Sequence, residues 1–158
     1  FEFCQKYLRS HSYSQYEISN YCKSGMECCH NLHYWNLEPC LAFGPSAHGY
    51  DGHIRWWNTS SLDAYIKILE HNEKPASGSE TLSQTDHFNE AVFNGLRTRG
   101  GIQLHKIHSW ERDSKKMNPA ILKWKDRLNI TKDTISLKSD SYKYADEIAS
   151  DMMITKPQ

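Results

Sequence analysis

The sequence predicts an α/β fold in which short strands and loops come first and a small helical region with a hairpin follows. Three observations carry that expectation. Side chains separate onto opposite faces through Tyr13–Ser19, with Tyr13, Gln15 and Glu17 against Tyr16 and Ile18, as a strand requires. Leu62, Tyr65, Ile66 and Leu69, and again Phe88, Ala91, Val92 and Leu96, recur at helical spacing. Leu128, Ile130, Ile135 and Leu137 bracket Lys132-Asp133, the pattern of two short strands joined by a polar turn.

The elements follow in chain order. Phe3, Tyr7 and Leu8 read as one face of an amphipathic helix over residues 1–9, before the strand of Tyr13–Ser19. From Asn20 to Asn36 the periodicity disappears while Cys, His, Asn, Tyr and Trp accumulate, which reads as a site or interface loop. Cys40 to Phe43 reads as a strand, and Gly44-Pro45 as an abrupt turn that carries His48 outward. Ile54–Trp57 gives another short strand. Ser60 with Asp63 has the spacing of a capping box for a helix over 61–71, whose stripe is expected in the core. Residues 72–81 are polar, contain Pro75 and Gly78, and read as a linker.

Ser83 with Asp86 repeats the cap for the Phe88 helix, which Gly100-Gly101 ends. Helices are expected over Leu104–Trp110 and from Pro119 through Trp124, then the hairpin, then a last helix carrying Tyr142, Ala145, Ile148, Ala149 and Met152. Helices followed by a hairpin and a further helix resemble a winged-helix arrangement. The domain reading is therefore 1–72, a linker at 73–81, and a second domain at 82–158.

Composition narrows the function classes. The 158 residues suffice for one domain with an appendage, and 19 basic and 19 acidic side chains cancel. A balanced chain without a dense basic face gives no reason to expect nucleic-acid binding. No apolar run reaches the roughly 18 residues of a membrane-spanning helix. The start at Phe1 lacks the pattern of a secretory signal and enters a helix-like stretch at once, as expected of a piece of a longer polypeptide. Five cysteines, Cys4, Cys22, Cys28, Cys29 and Cys40, are an odd number and suggest reduced thiols in the cytosol.

The block from Tyr16 to Cys22 followed by Cys29 to Trp35 is the richest in chemistry. Its histidines and cysteines are of the types that ligate transition metals or haem iron, and its flat aromatic rings can stack on a large ring system. Adjacent Cys28 and Cys29 fit poorly with the gap that folds a chain around zinc, and the cysteine spacing matches neither compact ferredoxin pattern. Glu17 and Asn20 can contact a ligand, or Glu17 can pair with an arginine while Asn20 holds a turn. Gly44 to His48 lets backbone approach a cofactor closely, without the lysine of a phosphate-binding loop. Trp56, Trp57 and Met152-Met153 read as packing residues, and His105 and His108 as surface histidines. Arg97 and Arg99 are candidates for pairing across a domain boundary.

Tyr16-Glu17-Ile18-Ser19-Asn20-Tyr21, His30-Asn31-Leu32-His33-Tyr34-Trp35, Leu41 to Tyr50 and Arg55 to Asn58 stand in one order. Together they resemble the YEISNF, HNxxYW, LGxGxGAHSY and RxxN segments of the HemW proteins, radical-SAM haem chaperones of the oxygen-independent coproporphyrinogen III oxidase-like family. The resemblance covers nearly the whole chain, more sharply to residue 58 than beyond. It departs at Ser46 and Gly49, and at Leu137 to Ser141, where the family has LTxxG.

The resemblance implies the carboxy-terminal part of such a protein: the last strands and loops of a partial TIM-like barrel, then a winged-helix-like accessory domain. It implies haem binding and delivery, with His30 as an axial ligand or close contact. Glu17, Asn20, Asn31, Tyr34, Trp35, Gly44 and His48 are then expected to face cofactors. The family's 4Fe-4S cluster and S-adenosylmethionine are expected only in a longer parent, because no cysteines here have the CxxxCxxC spacing. The isolated chain is accordingly not expected to be a complete catalyst. Implied partners are the amino-terminal barrel region, a haemoprotein recipient near the inner face of a membrane, and a second copy if open edges pair. The alternatives are an oxidative decarboxylase of coproporphyrinogen III and a non-catalytic interaction domain.

Overall fold

The computed structural model describes residues 1–108 and 117–154. Its elements, in order, are α1 (Glu2–Ser10), β1 (Ser14–Glu17), β2 (Asn20–Cys22), α2 (Cys29–Trp35), β3 (His48–Tyr50), β4 (Ile54–Asn58), α3 (Leu62–Glu70), β5 (Ala76–Thr81), α4 (Gln84–Arg97), β6 (Ile102–Gln103), α5 (Leu104–His108), α6 (Asn118–Trp124), β7 (Leu128–Ile130), β8 (Thr134–Leu137) and α7 (Ala145–Met152). The strands make three small sheets, ordered β1-β2, β3-β4-β5 and β6-β8-β7. Every pairing among them is antiparallel. The mixed α/β class is as expected, but the described residues do not themselves form parallel barrel strands. The tail is helices on a three-stranded sheet, without a clear winged-helix motif.

The chain divides into two compact units, one of residues 1–36 with 84 onward and one of residues 37–83. In the first, Phe88, Val92 and Leu96 point from α4 into a core with Ile102, Ile107, Leu128, Ile135, Leu137, Ile148 and Met152. These are the stripes expected of α4, the hairpin and α7. Pro119 stands in the first turn of α6, where its missing N–H costs nothing. Glycine permits two close approaches: Gly95 lies against the Ile102 backbone, and Gly101, at φ +70°, lies against the Ile135 carbonyl. The amino-terminal segment joins this unit through backbone: Ile18 N–H donates to the Arg97 carbonyl at 3.0 Å and Arg99 N–H to the Tyr16 carbonyl at 2.9 Å. Buried Gln5 ties α1 to Gln15 and to the Ser139 carbonyl.

Several expectations need correction. Residues 20–36 are not irregular throughout, since they contain β2 and α2. Residues 76–81 are not linker but β5, which pairs with all of β4. Backbone hydrogen bonds to β4 outweigh a polar composition there, and Gly78 leaves room for the Trp57 ring. The helix cap is Ser61 rather than Ser60, its Oγ accepting from Ala64 N–H at 3.3 Å. The α3 stripe is not a core face in this chain, because Leu62, Ile66 and Leu69 are 59%, 44% and 45% exposed. Cys40 to Phe43 makes only a bridge from Cys40 to Tyr50, not a strand. Expected helix residues Ser109 and Trp110 lie outside the described residues.

Candidate functional site

In the first unit the candidate residues gather around α2. Glu17 is fully buried at the end of β1. One carboxylate oxygen accepts from Arg97 at 3.1 Å; the other accepts from Ser19 N–H at 2.9 Å and from Asn20 Nδ2 at 2.6 Å. A buried carboxylate requires such partners, since an uncompensated charge would be expelled or neutralised. Glu17 is thus paired with an arginine, and Asn20 is bonded to it across the β1–β2 turn. Asn20 Oδ1 in turn accepts from Asn31 Nδ2 of α2 at 3.5 Å, a long bond that ties the helix to the β1–β2 turn.

Arg97 fixes the other end of α2. Its guanidinium lies 5.0 Å from the Trp35 ring and 5.4 Å from the Phe93 ring, within cation–π range, and reaches Asp146 at 3.5 Å. Trp35 Nε1 and Arg97 Nε are buried without a hydrogen-bond partner among the described residues. Arg99 pairs with Glu27, just before α2, at 2.9 Å. Arg97 and Arg99 thus frame α2 from α4 and its exit. Burial lifts the Tyr21 phenol above its ordinary range, with Cys4 adding to the effect and Arg9 opposing it.

The outward face of α2 is left open. His30 is exposed, its imidazole makes no hydrogen bond among the described residues, and its ring meets Tyr34 edge to face at 4.9 Å between centroids. His33 meets the same ring at 6.5 Å. An imidazole nitrogen without a partner can coordinate iron, and Tyr34, 44% exposed, offers an aromatic wall beside it. Exposed His30 beside Tyr34 is a pair of the residue types that could contact a haem. These residues do not fit a resident cluster: among the described residues no group of three or more His, Cys, Asp or Glu could hold a metal ion. Met152 is part of the core.

Gly44 and His48 belong to the second unit. Gly44 sits at φ +99°, its N–H donating to Tyr65 Oη at 3.0 Å and its carbonyl accepting from Asn58 Nδ2 at 3.0 Å. Ser46, where the resembled family has glycine, adopts φ +58°, in the left-handed region. His48 is exposed on β3, 6.0 Å from the Trp57 ring. Trp56 covers Gly49, so a side chain at 49 would collide with its ring. Both tryptophans therefore pack as expected. Sequence reading did not identify Phe93 as part of the α2 frame; its place one helical turn before Arg97 was the available signal.

No protein-family model matches the chain. It is similar to the haem chaperone HemW of Mycobacterium tuberculosis, at 36% identity over 113 residues covering 72% of this chain and 29% of that protein. The haem chaperone HemW of Bacillus subtilis is 32% identical over 124 residues, covering 78% and 33%. The bovine mitochondrial radical S-adenosyl methionine domain-containing protein 1 is 32% identical over 103 residues, covering 60% and 23%. Among solved structures, the Escherichia coli coproporphyrinogen III oxidase HemN, described as a radical SAM enzyme, superposes at TM-score 0.70 with 13% identity, covering 96% of this chain and 39% of that one. At that identity the likeness is one of fold. Among the described residues no helix is long and apolar enough to cross a membrane. The chain is thus related to the HemW/HemN family of radical-SAM proteins and spans about a third of the length of the HemW proteins it matches.

Proposed function

We propose that this chain is the carboxy-terminal, haem-handling segment of a HemW-like protein that binds haem and delivers it to respiratory haemoproteins at the inner face of a membrane. One observation carries the reading: His30 presents, on the exposed face of α2, an imidazole without a hydrogen bond among the described residues. That helix is held from behind by Glu17, Asn20, Asn31 and Arg97. His30 is the axial ligand or closest iron contact, and Tyr34 stacks on the macrocycle. Trp35, Asn31, Glu17 and Asn20 position the helix, and Gly44 and His48 serve a cofactor-facing loop. The 4Fe-4S cluster and S-adenosylmethionine belong to polypeptide beyond this chain.

The fold likeness supports a second reading, a segment of an oxidase that converts coproporphyrinogen III by radical decarboxylation. The test separates the two. A longer polypeptide carrying this segment, given coproporphyrinogen III, S-adenosylmethionine and a low-potential reductant, is expected to form no protoporphyrinogen and to retain haem through gel filtration. Turnover to protoporphyrinogen would establish the oxidase instead.

A further inference from the structure

In the first unit a cavity of about 390 Å³ opens between the end of α1, the start of β1 and the β7–β8 hairpin. Two guanidinium groups, of Arg9 and Arg99, stand on its wall, and among the described residues no carboxylate lines it. The Arg9 side chain makes no ion pair or hydrogen bond among the described residues. Arg99 engages Glu27 through Nη2 alone, which leaves its other guanidinium N–H groups for a ligand. Gly101 brings that arginine here: a Cβ at 101 would meet Ser136 Cβ at 2.7 Å, so the exit of α4 lies against β8. Ser14 and Ser136 contribute hydroxyls without a hydrogen bond among the described residues. Asn129 stands opposite Ser136 in the hairpin and commits its amide only to a long 3.4 Å bond with the Leu137 carbonyl. Tyr142 adds an independent sign. It is 5% exposed and lines the cavity, yet its hydroxyl bonds to nothing among the described residues and is not among the polar atoms sealed from solvent. A buried phenol ordinarily has a partner.

We propose that this cavity binds a phosphate group, carried by a small phosphate monoester or by free phosphate, on Arg9, Arg99 and the Tyr142 hydroxyl. The ligand class follows from the donors. Guanidinium forks match phosphate oxygens two at a time. The hydroxyls of Ser14, Ser136 and Tyr142 and the Asn129 amide bring more donors than the two oxygens of one carboxylate suit. A cation would find no carboxylate on this wall, and a neutral ligand would leave both guanidinium charges unmet. A crevice holding only water would satisfy the phenol, but it gives no reason for two arginines to share a wall without a carboxylate. The adjoining hollow, which shares Arg9 and Ser139, points the same way. There Lys143 pairs with Glu2 and Arg127 with Asp140, so the charge of Lys6 is left in excess. The cavity falls within the roughly 300–1,000 Å³ of small-molecule sites, which leaves room for the organic part of an ester.

The test is an NMR titration of the isotope-labelled chain with glycerol phosphate, inorganic phosphate and, as a neutral control, glycerol, following the amides of Ser136, Ser139 and Tyr142. Saturable shifts are expected with the phosphates and none with glycerol. Arg9→Gln is expected to weaken binding on the order of tenfold, and Tyr142→Phe about threefold or more. Both variants are expected to keep the circular dichroism of the parent, because neither group bonds to anything among the described residues. Lys67→Gln, which removes the same charge from an exposed position on the second unit, is expected to bind as the parent does. Tighter binding of the ester assigns the rest of the cavity to its organic part, and equal binding assigns the site to free phosphate; each supports the proposal. The absence of a saturable shift with either phosphate at millimolar concentration would overturn it. So would undiminished binding in folded Arg9→Gln, or an equal loss in Lys67→Gln, which would reduce the effect to diffuse surface charge. If Tyr142→Phe does not fold, Arg9→Gln decides alone, since Arg9 is exposed. No haem enters the experiment, so its outcome is independent of the haem reading.

Discussion

At the scale of single residues, the account turns on Glu17 and its partners. A carboxylate with 1% side-chain exposure, facing a guanidinium with 19%, is tolerable only while both charges are satisfied. Glu17→Ala is therefore expected to destabilise the first unit by about 3–5 kcal/mol, read as a lower urea midpoint. The same substitution releases α2 from the β1–β2 turn. Tyr142 supplies a pH dependence: burial holds its phenol above the ordinary value of 10.0, with Glu17 adding to this and Arg99 opposing it. With the folded value raised, the unfolded chain ionises first as pH rises. The contribution is whole below about pH 10 and is lost through the alkaline range above it. Tyr142→Phe is expected to flatten that alkaline limb in denaturation curves taken from pH 8 to about pH 11, relative to the parent chain. Sequence alone could not name the arginine that pairs with Glu17, because Arg97 lies 80 positions away.

At the scale of elements, the amphipathic helices were legible and the short strands less so. Phe88, Val92 and Leu96 repeat at helical spacing and are all fully buried, so α4 could be read from its own residues. β5 could not, because Ala76-Ser77-Gly78-Ser79-Glu80-Thr81 carries no alternation and becomes a strand only by pairing with β4. β6 is two residues long and exists through β8. At α3, periodicity identified the helix but not what covers it. Its cap is testable: Ser61→Ala is expected to cost about 1 kcal/mol, whereas Ser60→Ala is expected to be silent, by thermal or urea unfolding. Gly95 marks where α4 meets β6; Gly95→Val drives a side chain into the Ile102 backbone and is expected to cost about 1–3 kcal/mol.

At the scale of the whole molecule, the two units divide the candidate residues between them. The α2 group belongs to the unit with the large core, and Gly44 and His48 to the unit that exposes Leu41, Phe43 and the α3 face. Order and spacing of motifs located all of these residues, because each motif is contiguous. What neighbours each motif was beyond reach, since it depends on contacts such as Arg97 with Trp35 that span long stretches of chain. The central claim is that α2 presents His30 to haem iron. Its most direct test is an anaerobic absorbance titration of this chain with haem beside His30→Ala, with circular dichroism confirming that both are folded. The account predicts a saturable change in the Soret region that is weakened at least about tenfold in His30→Ala, a loss of about 1.4 kcal/mol in binding. Equal affinity in a folded His30→Ala variant would contradict it.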